Sequence, residues 1–117
     1  MTVKQCYEQI GAEYDDTLKR FGNEAFVRKF ALVFLDDPGF AKLKESIEEN
    51  DGEEAFRAAH TLKGVCLNLG FTRLYQSSAE LTEKLRGQKS TDGCDELFKS
   101  VSDNYYETVN AIKQIDC

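Results

Sequence analysis

The chain has 117 residues, the length of one domain, since domains cluster at about 100 to 150 residues. With 41% hydrophobic and 31% charged residues and a single proline, it has the composition of a folded domain with a hydrophobic core, which excludes a disordered or collagen-like chain. The formal charge of −6 argues against binding to nucleic acid or an anionic membrane, because both are recognised through a basic face.

Targeting signals and metal sites are also not expected. No apolar run reaches the roughly 18 residues needed to span a bilayer, and residues 1–8 lack the pattern of a signal peptide, so a cytoplasmic protein that binds no membrane is predicted. The chain has a single histidine, and its four cysteines are irregularly spaced, at Cys6, Cys66, Cys94 and Cys117. That spacing predicts neither a zinc site nor a disulfide framework.

Three short helices are predicted at the start of the chain, where glycines and an asparagine separate segments with helical periodicity. The first ends at Gly11 and the second at Gly22, and Asn23 can cap the third. The third ends before Pro38. Asp37 is then the predicted N-cap of the next helix, with Pro38 in its first turn.

Four longer helices are predicted next, at roughly residues 38 to 49, 52 to 69, 71 to 86 and 94 to 115. Asp51 and Glu54 have the spacing of a capping box, and Gly70 has the position of a glycine that ends a helix. Short connections make consecutive helices antiparallel neighbours. The predicted fold is therefore all-α, an antiparallel up-down four-helix bundle with additional short N-terminal helices. We expect one domain over residues 1–117, with its bundle core at about 38–115.

The second long helix contains an unexplained glycine. Gly64 lies in the helix interior, where it costs about 1 kcal/mol relative to alanine, and it follows His60, the only histidine, by one turn. The apolar positions of this helix form one stripe, which consists of Ala55, Ala58, Ala59, Leu62, Val65, Cys66 and Leu69. His60 lies about 160° from the centre of that stripe and is predicted to be exposed.

The outer face around His60 also carries apolar and basic side chains. Phe56 and Leu67 fall there, which predicts a docking surface unless the N-terminal helices cover them. Because helical side chains lean toward the N-terminus, Lys63 should reach back over the turn that carries His60. A surface histidine beside an ordinary lysine is the alternative interpretation.

The sequence Ala59-His60-Thr61-Leu62-Lys63-Gly64, with Leu69-Gly70-Phe71 after it, resembles the signature of histidine-containing phosphotransfer domains, in which H-x-L-K-G is followed six residues later by glycine. The resemblance covers roughly residues 12 to 115. It implies a helical bundle whose exposed histidine, here His60, accepts a phosphoryl group and passes it to an aspartate of a receiver domain. Lys63 would support the phosphate, and Gly64 would permit close approach of the receiver.

Further site residues are candidates by position. If the helices on either side of Gly70 form an antiparallel hairpin, Thr82 and Arg86 lie near His60, although both could equally lie on a solvated face. Arg57, one turn before His60, has the same ambiguity. As a hypothesis, we place Arg57 and Arg86 with Lys63 and Gly64 around the phosphate, because a cluster of basic side chains would explain how an acidic domain holds it. The docking residues are predicted to be Phe56, Thr61, Leu67 and Thr82.

The chain carries no glycine loop that could cradle ATP and no carboxylate cluster in the motif. We therefore predict a phosphoryl carrier rather than an enzyme, with no cofactor or metal of its own. Mg²⁺ and the aspartate pocket are expected on the partner receiver. The predicted partners are response-regulator receiver domains and a histidine kinase, and the predicted state is a monomer.

Two alternatives keep the same helical fold. The chain could be an adaptor that binds receiver domains without being phosphorylated, or the phosphoacceptor domain of a chemotaxis-type histidine kinase, which has a similar motif around His60. A di-iron bundle is rejected, because the position three before His60 is Arg57 and no second histidine exists.

Overall fold

The computed structural model describes residues 1–116, and no strand occurs in that part of the chain. Its helices are α1 (Val3–Gln9), α2 (Tyr14–Phe21), α3 (Glu24–Val33), α4 (Gly39–Glu48), α5 (Gly52–Leu69), α6 (Thr72–Leu85) and α7 (Asp95–Ile112), with one turn of 3-10 helix, Phe34–Asp36, after α3. The all-α class is thus confirmed. None of these helices combines the length and apolar character that crossing a bilayer requires.

Local capping interactions fix most helix ends where the sequence predicts them. The Asn23 side chain accepts a hydrogen bond from Phe26 N (2.9 Å), which satisfies a free N–H in the first turn of α3. Asp51 does the same for α5 by accepting from Glu54 N (3.1 Å). Gly70 ends α5 with a φ of 75°, a left-handed conformation that glycine adopts without strain.

Two details of capping differ from the prediction. The N-cap residue of α4 is Pro38 rather than the predicted Asp37, so Pro38 precedes the first helical residue instead of occupying the first turn. The Asp37 side chain still satisfies a free N–H of that turn, because its Oδ1 accepts from Gly39 N (2.8 Å). The capping box at the start of α5 is one-sided. The Glu54 carboxylate pairs with Arg57 on the same helix and does not return to the backbone N–H of Asp51.

The core is built around α5, which packs against α4 on one side and α6 on the other. α6 in turn packs against α7. Aromatic stacking links α4 to α7, because the Phe40 ring lies 4.1 Å from that of Tyr105 and 5.9 Å from that of Phe98, measured between centroids. The fully buried residues of α5 belong to the predicted stripe and are Ala55, Ala59, Leu62 and Cys66. Helix α5 is therefore held in one orientation, with its opposite face toward solvent.

The N-terminal helices pack against the C-terminal end of α5. The Tyr7 hydroxyl donates to Leu69 O (2.6 Å), the Thr17 hydroxyl donates to the same oxygen (3.2 Å), and Arg20 Nε donates to Asn68 O (3.0 Å). These donors satisfy carbonyls that have no partner within the helix. Leu67 nevertheless stays 59% exposed. The N-terminal helices therefore do not cover this predicted docking residue.

The cysteines among the described residues are part of the hydrophobic core. Cys6, Cys66 and Cys94 are buried free thiols, and burial raises the pKa of each. Cys117 lies outside the described residues. Within residues 1–116, His, Cys, Asp and Glu side chains form no group of three or more that could hold a metal ion.

Candidate functional site

His60 lies near the middle of α5, on the face opposite the buried stripe, and its side chain is exposed as predicted. Neither ring nitrogen has a hydrogen-bond partner among residues 1–116. A neutral imidazole nitrogen is a nucleophile and a proton acceptor. The ring is thus available to react with a molecule that approaches this face.

Phe56 forms one side of the histidine environment. Its ring is parallel to the imidazole, with 4° between the planes and 5.9 Å between the centroids. Phe56 is half-buried and packs on the core, whereas the sequence pattern predicts an exposed side chain. The Arg86 guanidinium carbon lies 5.0 Å from the centroid of the same ring, within the range of a cation–π interaction.

Arg86 is held at this position by Glu83. Its Nη2 donates to Glu83 Oε1 (2.9 Å) and its Nε to Glu83 Oε2 (3.2 Å), in a two-pronged contact. The hydrogen bond from Arg86 and its positive charge lower the pKa of Glu83, and Lys63 and His60 add to that lowering. Glu83 raises the pKa of Arg86 in return.

The sequence prediction missed Glu83, although the Glu–Arg spacing of three residues on one helix was a usable signal. That spacing predicts the ion pair but not its position beside His60. The structure provides the position, because α6 packs along α5 and brings the pair to the level of Phe56.

Lys63 and Gly64 follow His60 by about one turn of α5. Lys63 is half-buried, and its ammonium forms no ion pair with residues 1–116. Gly64 is exposed, and a Cβ added to it would meet no atom within 4 Å. Packing within the chain thus does not require glycine at this position. A requirement for glycine would have to come from a molecule outside the chain.

Arg57 and Thr61 face a different side of α5. Both are exposed and line a groove between α4 and α5, together with Pro38 and Lys42. The Arg57 guanidinium pairs with Glu54 on the preceding turn. Arg57 also lines a hollow with Phe56, the ring over which Arg86 lies. Thr61 is exposed, so a partner that approaches α5 from this side could contact it.

The prediction that Thr82 lies on the docking surface is wrong. Thr82 has no exposed surface, and its hydroxyl donates to Ser78 O (2.7 Å) inside the bundle. Helix α6 is rotated so that Thr82 and Ser78 face the core. The next residue, Glu83, is the one that reaches the outer face.

An exposed apolar patch that the sequence did not predict lies on α3. It consists of Phe26, Phe30 and Val33, which are 46%, 39% and 54% exposed. Phe30 and Val33 line a shallow groove with Val65 and Asn68 of α5. Their spacing of three and four residues is also typical of a buried helix face, so exposure could not be read from the pattern.

A comparison with protein-family models matches residues 37–115 to the Hpt domain. Comparisons with curated proteins and with solved structures give no match. The matched segment begins just before α4, ends just after α7, and includes His60, Lys63 and Gly64 on α5. Because the match covers more than half of the chain, the protein belongs to the Hpt domain family.

Proposed function

We propose that this protein carries a phosphoryl group on His60 and passes it between the aspartates of response-regulator receiver domains. Membership of the Hpt family implies a part in histidine phosphotransfer, in which the domain is a carrier rather than a conventional enzyme. The observation that carries the proposal is the exposed, unbonded imidazole of His60 beside the open position at Gly64. Together they offer a nucleophile that a globular partner can reach.

The transfer follows from the chemistry of the imidazole. A neutral ring nitrogen attacks the phosphorus of an aspartyl phosphate on the receiver, forming an N–P bond while the P–O bond to the aspartate breaks. The carboxylate is the leaving group. The reverse reaction delivers the phosphoryl group to the aspartate of another receiver. Mg²⁺ and the aspartate pocket come from the receiver, and the chain needs no cofactor of its own.

The neighbouring side chains have distinct parts in this proposal. The Lys63 ammonium neutralises charge on the phosphoryl oxygens, and the Arg86 guanidinium adds a second positive charge. Phe56, Thr61 and Leu67 contact the receiver. Arg57 is a further candidate for the phosphate, because its ion pair with Glu54 is as exposed as that of Arg86 with Glu83.

The setting of the site is part of the same proposal. We infer that α4 to α7 run antiparallel as an up-down four-helix bundle, which is supported by their consecutive packing and short connections. The protein acts as a monomer, because a receiver must reach the outer face of α5. The proposed compartment is the cytoplasm. Its other partner is a histidine kinase that supplies the phosphoryl group.

The test is incubation with a phosphorylated receiver domain and Mg²⁺, followed by detection of acid-labile, base-stable label on the protein. We expect label on the wild type and none on His60→Gln. Because His60 is exposed, the variant should unfold at the same denaturant concentration as the wild type. Binding of several phosphorylated receivers without any label would contradict the proposal and favour a receiver-binding adaptor.

A further inference from the structure

The Glu83 carboxylate lies where three nitrogen-bearing side chains act on one anion. Arg86 binds both of its oxygens, at 2.9 and 3.2 Å, and the nearby Lys63 and His60 side chains also lower the pKa of Glu83. Arg86 is simultaneously positioned over Phe56, whose ring is parallel to that of His60. A phosphoryl group on His60 would need these same positive charges.

The ion pair between Glu83 and Arg86 is easy to exchange. Both side chains are more than half exposed, and solvent screens the attraction between exposed charges. A phosphoryl group carries up to two negative charges and three strong acceptor oxygens, so it attracts a guanidinium more strongly than one carboxylate does. It also repels the carboxylate, because like charges at short range disfavour each other.

We propose that Glu83 is a positioning residue that holds Arg86 beside His60 in the unphosphorylated protein, and that Arg86 passes from the Glu83 carboxylate to the phosphoryl group when His60 is phosphorylated. This inference rests on the proposed function. No covalent bond to Glu83 forms or breaks. Arg86 exchanges its hydrogen bonds and ion pair with Glu83 for hydrogen bonds and an ion pair with the phosphoryl group.

The exchange gives Glu83 a defined effect on the relay. Each phosphorylation displaces the carboxylate from Arg86, so Glu83 lowers the occupancy of phosphohistidine at equilibrium. It thereby favours onward transfer of the phosphoryl group. Removing the carboxylate should raise the occupancy, and this gain should depend on Arg86.

A double-mutant cycle on the full chain tests this dependence without a partner protein. The wild type, Glu83→Gln, Arg86→Gln and the double variant are phosphorylated with phosphoramidate, a small chemical donor, and the phosphohistidine fraction is measured by ³¹P NMR. We expect Glu83→Gln to raise the ratio of phosphorylated to free protein about two- to fivefold, the scale of an exposed ion pair. In the Arg86→Gln background the same substitution should have a clearly smaller effect.

The control for loss of charge is Glu80→Gln, one turn earlier on α6. Glu80 is exposed and forms no ion pair with residues 1–116, so this substitution should change the ratio by much less than Glu83→Gln. The ¹⁵N resonance of Arg86 Nε provides a second measurement. It should move on phosphorylation of the wild type and move less in Glu83→Gln.

The outcomes separate the two proposals. Wild-type protein that accepts no phosphoryl group at His60 from phosphoramidate or from any receiver would overturn the proposed function, and this inference with it. A phosphorylated wild type in which Glu83→Gln has no effect would overturn the inference alone. So would an equal effect in both Arg86 backgrounds, because Glu83 would then act on the phosphoryl group directly through its charge.

Discussion

The ring of Phe56 and the imidazole of His60 lie parallel to one another, 5.9 Å apart between centroids and one helical turn apart on α5. The two side chains differ in their surroundings, because Phe56 packs on the core while His60 is exposed. The Phe56 ring therefore limits the space that the imidazole can enter on this side. On the other side, beside Gly64, the space is open.

Replacing Phe56 with leucine should slow phosphoryl transfer while the fold persists. Leucine keeps the apolar contact with the core but removes the flat surface beside the imidazole, and an aromatic pair is worth about 0.5 to 1.5 kcal/mol. That energy corresponds to a transfer rate about two- to tenfold lower at saturating receiver. Tyr106→Leu, an exposed aromatic on α7, is the control. Equal rates for Phe56→Leu and the wild type would remove Phe56 from the site.

Gly64→Gln should slow phosphoryl transfer from a receiver domain without impairing the reactivity of His60. A Cβ at Gly64 meets no atom of residues 1–116 within 4 Å, and glycine is a poor helix former, so the variant should gain about 0.5 to 1 kcal/mol in free energy of unfolding. Transfer from a phosphorylated receiver should fall sharply, because the new side chain projects into the approach path.

Phosphoramidate provides the matched control for Gly64→Gln, since a small donor does not need the space that a receiver domain needs. Labelling by phosphoramidate should match that of the wild type. If the receiver transfers to the variant at the wild-type rate, close approach is not the reason for glycine here.

Lys63→Ala should reduce the rate of transfer more than it weakens binding. The ammonium has no ion-pair partner in the described part of the chain, so its charge is available to the phosphoryl oxygens. Hydrogen bonds to charged groups contribute about 1.5 to 3 kcal/mol, which predicts a transfer rate roughly 10- to 100-fold lower at saturating receiver. Receiver affinity should change by less than about threefold. Lys84→Ala, on the exposed surface of α6, is the control, and a matching loss there would indicate a general charge effect.

The parts of the fold that the sequence predicts are those fixed by local interactions. The side chains of Asn23 and Asp51 bond backbone groups three residues away, so the start of each helix is encoded within one turn. The apolar stripe of α5 also predicts that His60 lies on the face opposite the core, where the structure places it.

The errors concern contacts between helices. The rotation of α6 against α5 decides whether Thr82 or Glu83 faces outward, and one residue changes the direction of a side chain by about 100°. A hairpin argument that places α6 only to within a few residues cannot distinguish them. The exposure of Phe30 has the same origin, because it depends on what covers α3 rather than on the spacing within α3.

The buried thiol of Cys6 should make the protein less stable at high pH. Burial raises the pKa of Cys6 from 9.0 to about 11. Between these values the unfolded chain loses the thiol proton and the folded chain keeps it, so the free energy of unfolding falls as pH rises, by up to about 1.4 kcal/mol per pH unit. Other groups also titrate in this range. The measurement is therefore the difference in unfolding free energy between the wild type and Cys6→Ala, which should narrow from pH 8 to pH 11.

Substitution by alanine should destabilise the protein more at Gly70, where α5 meets α6, than at Gly87, which follows α6. Gly70 and Gly87 both have positive φ, 75° and 77°, so alanine at either position costs about 1 to 2 kcal/mol from the left-handed backbone. At Gly87 an added Cβ meets no atom within 4 Å. At Gly70 it meets the Thr17 hydroxyl and the carbonyl oxygen of Glu13, the latter at 2.8 Å.

These collisions occur where α2 is joined to the end of α5. Glu13 N donates to Gly70 O (2.8 Å), and the Thr17 hydroxyl donates to Leu69 O (3.2 Å), so a Cβ at Gly70 must push this contact apart. Gly70→Ala should therefore lower the free energy of unfolding by about 1 to 3 kcal/mol more than Gly87→Ala, as overpacking does in a buried site. Urea unfolding of both variants measures the difference. Equal losses would mean that α2 can move away from α5 at little cost, and that the left-handed backbone alone explains the need for glycine at both positions.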